Sequence, residues 1–195
     1  MFIKTHAPQD TLIMQLLPVL QQASQILFEE YQSYTTGSEF NIHQKSDQSP
    51  VTQADLRVNH FLMQALAQVQ PVYPVLSEES DNIGRHEWST CWMLDPLDGT
   101  KEFIHKRDEF TINLSLIENS KTIFSVIVVP CEQQMYLGYL DDLPYKYQFN
   151  HGQWWRYQNA KSSLSQTLQI GLSHSSKNPK YAQFIGFIEQ QTHAV

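Results

Sequence analysis

Apolar side chains recur at Ile13, Leu16, Leu17, Leu20, Ala23, Leu27 and Tyr31, the spacing of a single face of an α-helix. The pattern predicts a helix over 11–31, with Pro18 kinking it or marking its early portion. From Gly37 to Gln48 the chain turns polar and reads as turn and loop, a segment suited to a flap. A second helical face follows, formed by Ala54, Val58, Phe61, Leu62, Ala65, Leu66 and Val69. It opens behind Thr52, an N-cap residue by type, and Pro71 lies beyond its end.

The period then shortens to that of strands. Residues 72–77 are apolar and run out into Glu78 and Glu79, and 91–94 read as a buried strand. Residues 110–117 alternate, and 122–129 are apolar enough to be buried on both faces. With Asn119 and Ser120 between them, the two runs predict an antiparallel hairpin, continued by a strand over 134–138 after Pro130. Residues 154–156 and 168–172 are weaker strand signals, and 180–191 read as helical. Helices first and a strand-rich sheet afterwards, with no internal repeat, give an α+β layered fold.

Composition narrows this picture mainly by exclusion. A hydrophobic share of 41% without Gly/Ser- or Pro-rich tracts predicts an ordered chain. The net charge of −7 and the scattered lysines and arginines exclude a duplex nucleic-acid binder. Cys91 and Cys131 are isolated, lack metal-ligand spacing and read as buried reduced thiols. No secretory signal opens the chain and no apolar run reaches membrane-spanning length, so the cytoplasm is the expected location.

The strongest chemical signal is Asp95-Pro96-Leu97-Asp98-Gly99-Thr100, set directly after an apolar strand. Magnesium takes hard oxygen ligands and keeps several waters, so a few carboxylates beside a phosphate cradle suit it. Asp95 and Asp98, held apart by a turn that Pro96 stiffens, would share a cleft with the Leu97 carbonyl. Gly99 would allow close backbone approach, and the amides of Gly99 and Thr100 would face a phosphate at a helix start. Each residue alone has a plainer reading. A lone DxxD is an Asp-capped turn, Glu78-Glu79 is a solvated pair, Asp55 meets a helix dipole, and Lys101 is a solvated helix residue. The haloacid-dehalogenase motif DxDGT is excluded by spacing, since the carboxylates here stand three apart with proline between them.

Read together, these segments resemble the inositol monophosphatase superfamily and, within it, the CysQ-type 3′(2′),5′-bisphosphate nucleotidases. The carrying residues are KSDQSPVTQAD at 45–55, VLSEE at 75–79, DPLDGTKEFI at 95–104 and EFTIN at 109–113. The resemblance runs from the first helix to about Ser175, is most specific over 45–113 and is faint beyond Gly138.

It implies a sugar-phosphatase-like fold with N-terminal helices packed on a largely antiparallel sheet. Residues 1–160 would be the metal-binding phosphatase domain and 161–195 the start of a truncated second α/β domain. It further implies Glu78, Asp95 and Asp98, with the Leu97 carbonyl, as ligands of Mg2+ at two or more sites, with inhibition by lithium. Thr100, hydrogen-bonded within reach of Glu78 or Asp55, would orient the attacking water with Asp55 as the carboxylate behind it, making Thr100, Asp55 and Glu78 the catalytic group, while Gly99, Thr100 and Lys101 would hold the substrate. The implied reaction is in-line hydrolysis of the 3′-phosphate of 3′-phosphoadenosine 5′-phosphate to AMP and phosphate, without a covalent intermediate. The expected partner is therefore a small nucleotide bisphosphate, in the cytoplasm or at the inner face of the membrane. An inositol monophosphatase-like sugar phosphatase is the alternative of the same chemistry. A catalytically impaired fragment that binds metal or nucleotide is the alternative of another class.

Two departures from the family pattern bear on this. Arg107-Asp108 stands where nucleotidases usually have an asparagine-glycine turn, so a different hairpin turn is expected there. The family's WDxAAG motif, which supplies a further metal ligand, has no counterpart, since no Trp-Asp pair occurs. An incomplete ligand set is expected, together with apolar surface that a homodimer would cover.

Overall fold

The computed structural model describes residues 1–37, 42–44, 50–81, 84–158 and Gly186. The chain divides into two compact units, Met1–Gln158 and Asn159–Val195. The strand expected at 168–172 and the helix at 180–191 lie outside the described residues, as do Lys45 and Asp47 of the flap segment.

Asp10 caps the first helix by accepting the Leu12 N–H at 2.8 Å, and α1 then runs over Thr11–Thr35 with Pro18 inside it. By length and a mean hydropathy of 1.2 this helix could cross a membrane. Its apolar face, Ile13, Leu16, Leu20, Ala23 and Leu27, is buried in the core. Helix α2 spans Gln53–Leu66, and an ion pair from Arg57 to Glu30 ties it to α1. Val69 is buried but lies past the end of α2 rather than on its face. Part of the expected loop is a two-stranded antiparallel ribbon, β2 (Ile42–Gln44) with β3 (Pro50–Thr52).

Among the described residues the main sheet has eight strands. In chain order they are β1 (Phe2–Thr5), β4 (Val75–Ser77), β5 (Thr90–Asp98), β6 (Thr111–Glu118), β7 (Lys121–Val129), β8 (Gln134–Tyr139), β9 (Tyr145–Gln148) and β10 (Gln153–Tyr157). Their spatial order is β1-β10-β9-β8-β7-β6-β5-β4, and only the β4–β5 pair is parallel. The β6–β7 hairpin turns on Asn119 and Ser120 at φ 49° and 63°, two left-handed residues whose twist matches that of the flanking strands.

The β7 reading needs correction. Phe124, Val126 and Val128 are buried, whereas Ile127 on the opposite face is 46% exposed. Helices α1 and α2 join the core on the first face alone among the described residues, so β7 is buried on one side, as an antiparallel strand can be. The two cysteines also differ from expectation: both are free thiols, but only half-buried.

Behind β5 the short helix α3 spans Thr100–Ile104. Phe103 packs edge-on against Tyr31 and Phe110, and the Tyr34 hydroxyl donates to the Ile104 carbonyl at 3.0 Å, fastening α3 to α1. The connection to β6 is a helix ending rather than a hairpin turn. Lys106, at φ 57°, donates to the Phe103 carbonyl, and Arg107 donates to that of Glu102, the paired bonds of a Schellman cap.

Candidate active site

Residues i and i+3 on a regular strand point to opposite faces. Asp95 and Asp98 nevertheless pair with Asn113 and Thr111, two residues apart on β6 and hence on one face. The register shift between them places Pro96 and Leu97 opposite the single residue Ile112, a β-bulge that restores the shared face. A proline fits there, because a bulge relieves it of a ladder hydrogen bond. The spacing is thus a bulged strand end and not the stiffened turn expected from the sequence.

The parallel partner supplies the next carboxylate. The Glu78 N–H donates to the Leu94 carbonyl at 3.0 Å, carrying the β4–β5 pairing one residue past Ser77 and bringing Glu78 beside Asp95. A buried polar set holds that strand end: Ser77 Oγ donates to Asn59 Oδ1 at 2.7 Å, and Asn59 Nδ2 donates to Ser80 Oγ at 3.1 Å.

Asp55 arrives from the first turn of α2. It is 1% exposed, and its Oδ2 accepts the Thr52 N–H at 2.8 Å and the Thr52 hydroxyl, a capping box with aspartate in place of the usual glutamate. Its Oδ1 lies 3.2 Å from the Thr100 hydroxyl, which also reaches the Leu97 carbonyl at 3.1 Å. Burial raises the Asp55 carboxyl above its ordinary range, although the bonds from Thr52 and Thr100 oppose that shift.

Glu78, Asp95, Leu97, Asp98, Gly99, Thr100, Lys101 and Glu102 line one open cleft of about 270 Å³. Every residue expected to hold metal, water or substrate lines it, and Asp55, the remaining expected site residue, is buried behind Thr100. Burial first, then the charges of Glu78 and Asp98, push the Asp95 carboxyl up to about 7, against the Leu97 N–H bond at 3.1 Å. Gly99, at φ 94°, could carry a side chain only with strain, since a Cβ would stand 2.9 Å from the Glu109 carbonyl oxygen. A second concavity of about 460 Å³ adjoins the first across Glu78 and Asp95, with Met93, Ser115 and Arg85 on its walls.

The donor set is carboxylate and carbonyl oxygen, which suits a hard divalent cation. Among the described residues no three His, Cys, Asp or Glu side chains converge as one ready-made ion site. Carboxylates shared in pairs, completed by a carbonyl and water, match the habit of magnesium better than that of a fully caged ion.

Sequence reading gave Asn113 no role, yet its Nδ2 donates to Asp98 Oδ2 at 2.8 Å. The signal was present in the alternation of β6, which puts Thr111, Asn113 and Ser115 on the face opposite its buried residues.

The chain is similar to known proteins in sequence and in fold. A family profile described as the inositol monophosphatase family matches residues 9–191. The 3′(2′),5′-bisphosphate nucleotidase CysQ of Haemophilus influenzae is 35% identical over 142 residues, covering 71% of this chain and 51% of that protein. The crystal structure of CysQ from Bacteroides thetaiotaomicron, described as a bacterial member of the same family, is 26% identical with a TM-score of 0.66. That match covers 92% of this chain and 68% of the other. An IMPase/NADP phosphatase solved with Mg2+ and phosphate shares the fold at 22% identity and a TM-score of 0.58, over 70% of this chain and 52% of the other. The chain spans about half the length of the curated relatives it matches.

Proposed function

This chain belongs to the inositol monophosphatase family, and from that premise we propose that it carries most of the active site of a magnesium-dependent phosphomonoesterase. The proposed reaction removes the 3′-phosphate of 3′-phosphoadenosine 5′-phosphate to give AMP and phosphate. The substrate follows the nucleotidases that the chain resembles. The observation that carries the reading is the meeting of Glu78, Asp95, Asp98, the Leu97 carbonyl and Thr100 on one cleft.

In this reading Glu78, Asp95, Leu97 and Asp98 hold Mg2+, which when bound supplies positive charge to the attacking and leaving oxygens. Asp55 accepts the Thr100 proton, which turns the lone pairs of that hydroxyl toward the cleft, where they accept a proton from the attacking water. Thr52 keeps Asp55 from rotating by engaging its other oxygen. The Gly99 and Thr100 amides and the Lys101 ammonium orient the phosphate. The same reading expects more than one bound cation, inhibition by lithium, a cytoplasmic location and a homodimer; a monomer by light scattering would remove the homodimer.

The test is phosphate release from 3′-phosphoadenosine 5′-phosphate with magnesium or with chelator, in wild type and Asp98→Asn. Turnover is expected only with magnesium, and a fall of about a thousandfold in the variant, as for loss of a group that stabilises developing charge. Turnover indifferent to chelator and to the substitution would sink the reading. Hydrolysis of inositol monophosphate in preference to the nucleotide would select the sugar-phosphatase alternative. Magnesium uptake in calorimetry without any turnover would select the non-catalytic one.

A further inference from the structure

We propose that Asn113, itself oriented by Thr111, is a positioning residue that holds Asp98 in place as a cation ligand. The inference rests on the reading of Asp98 as a ligand given above.

Because of the bulge, β6 presents Thr111 and Asn113 directly across from Asp98 and Asp95. Asn113 Nδ2 donates to Asp98 Oδ2 at 2.8 Å, and Thr111 Oγ1 donates to Asn113 Oδ1 at 3.1 Å. The polarity of this chain is fixed. An ionised carboxylate only accepts hydrogen bonds, so the amide must face Asp98 with its NH2 end. Its oxygen then faces Thr111, whose hydroxyl supplies the proton.

The arrangement answers a specific difficulty. Asp98 is exposed and stands close enough to Asp95 for the two carboxyls to oppose each other's charge, so an unanchored side chain would swing out toward solvent. One charge-assisted bond to Oδ2 holds the carboxylate over the cleft and leaves Oδ1 to a cation. Outer partners of this kind fix ligand orientation before the ion arrives, and their loss lowers metal affinity about 10- to 100-fold. The Asn113–Asp98 bond is open to solvent, so the lower end of that range applies.

Calorimetric titration of the full chain with MgCl2 tests this, alongside melting temperatures in chelator. Asn113→Ala should bind magnesium about tenfold more weakly while melting within a degree or two of wild type in chelator. Thr111→Val should lose less, Thr111→Ser should keep wild-type affinity, and the Thr111→Val/Asn113→Ala double variant should be no worse than Asn113→Ala, because Thr111 acts through the amide. Unchanged affinity in Asn113→Ala would overturn the inference. So would losses that add in the double variant, or a melting temperature in chelator that falls in step with affinity. A wild-type chain that takes up no magnesium would instead overturn the metal reading itself, and the inference with it.

Discussion

Burial and two neighbouring carboxylates hold Asp95 at about 7, well above an ordinary aspartate, and this has a measurable cost in stability. A carboxyl whose folded pKa is raised binds its proton more tightly folded than unfolded, so its stabilising contribution is complete below the unfolded pKa and is lost as pH rises through the folded one. In chelator, the melting temperature should therefore fall as pH rises from about 4 to about 8, most steeply near about 5–6 and levelling off past about 7, and Asp95→Asn should flatten that slope. Excess magnesium should flatten it too, by replacing repulsion with attraction. A wild-type slope matching that of Asp95→Asn would remove Asp95 from the account. At this scale the shared cleft of the acidic residues was legible, because Asp95 and Asp98 lead into a Gly-Thr turn and Glu78 ends a neighbouring apolar run. Asn113 was not legible, because an asparagine in a strand reads as surface until its cross-strand neighbour is known.

The elements place these side chains by local rules of different legibility. The capping box of α2 was half visible: Thr52 announced a helix start, but its hold on both the helix and the second oxygen of Asp55 required the geometry. Thr52→Ala should cost about 1–2 kcal/mol in urea unfolding, as for loss of a helix cap, and should lower turnover by freeing Asp55. Thr52→Ser should restore most of both. The long helices and the β6–β7 hairpin were readable because their apolar periods run over many residues. The bulge in β5 was not, since hydrophobic period alone cannot show where one residue is added to a ladder. β1 and β9, four residues each, were too short to declare themselves, and β10 appeared only as a weak signal.

On the scale of the whole sheet, the candidate site occupies one edge, at β4–β6, and the ends of the described strands meet at the other, where β1 pairs with β10. The two ends should therefore respond separately. Deleting residues 1–5 should lower the urea midpoint but leave magnesium affinity within about twofold, because outer-partner effects on a metal are local; a larger affinity loss would show the sheet acting as one unit. The same topology sets an order of assembly. Synthesis proceeds from the N-terminus at about 5–20 residues per second, so Phe2–Thr5 waits on the order of ten to thirty seconds for Gln153–Tyr157 to be made. During that interval β4, β5 and β6 already exist and can pair. A nascent chain stalled before residue 150 would thus display every proposed cation ligand on a sheet whose far edge is still unpaired, an open template for which chaperones and neighbouring chains compete.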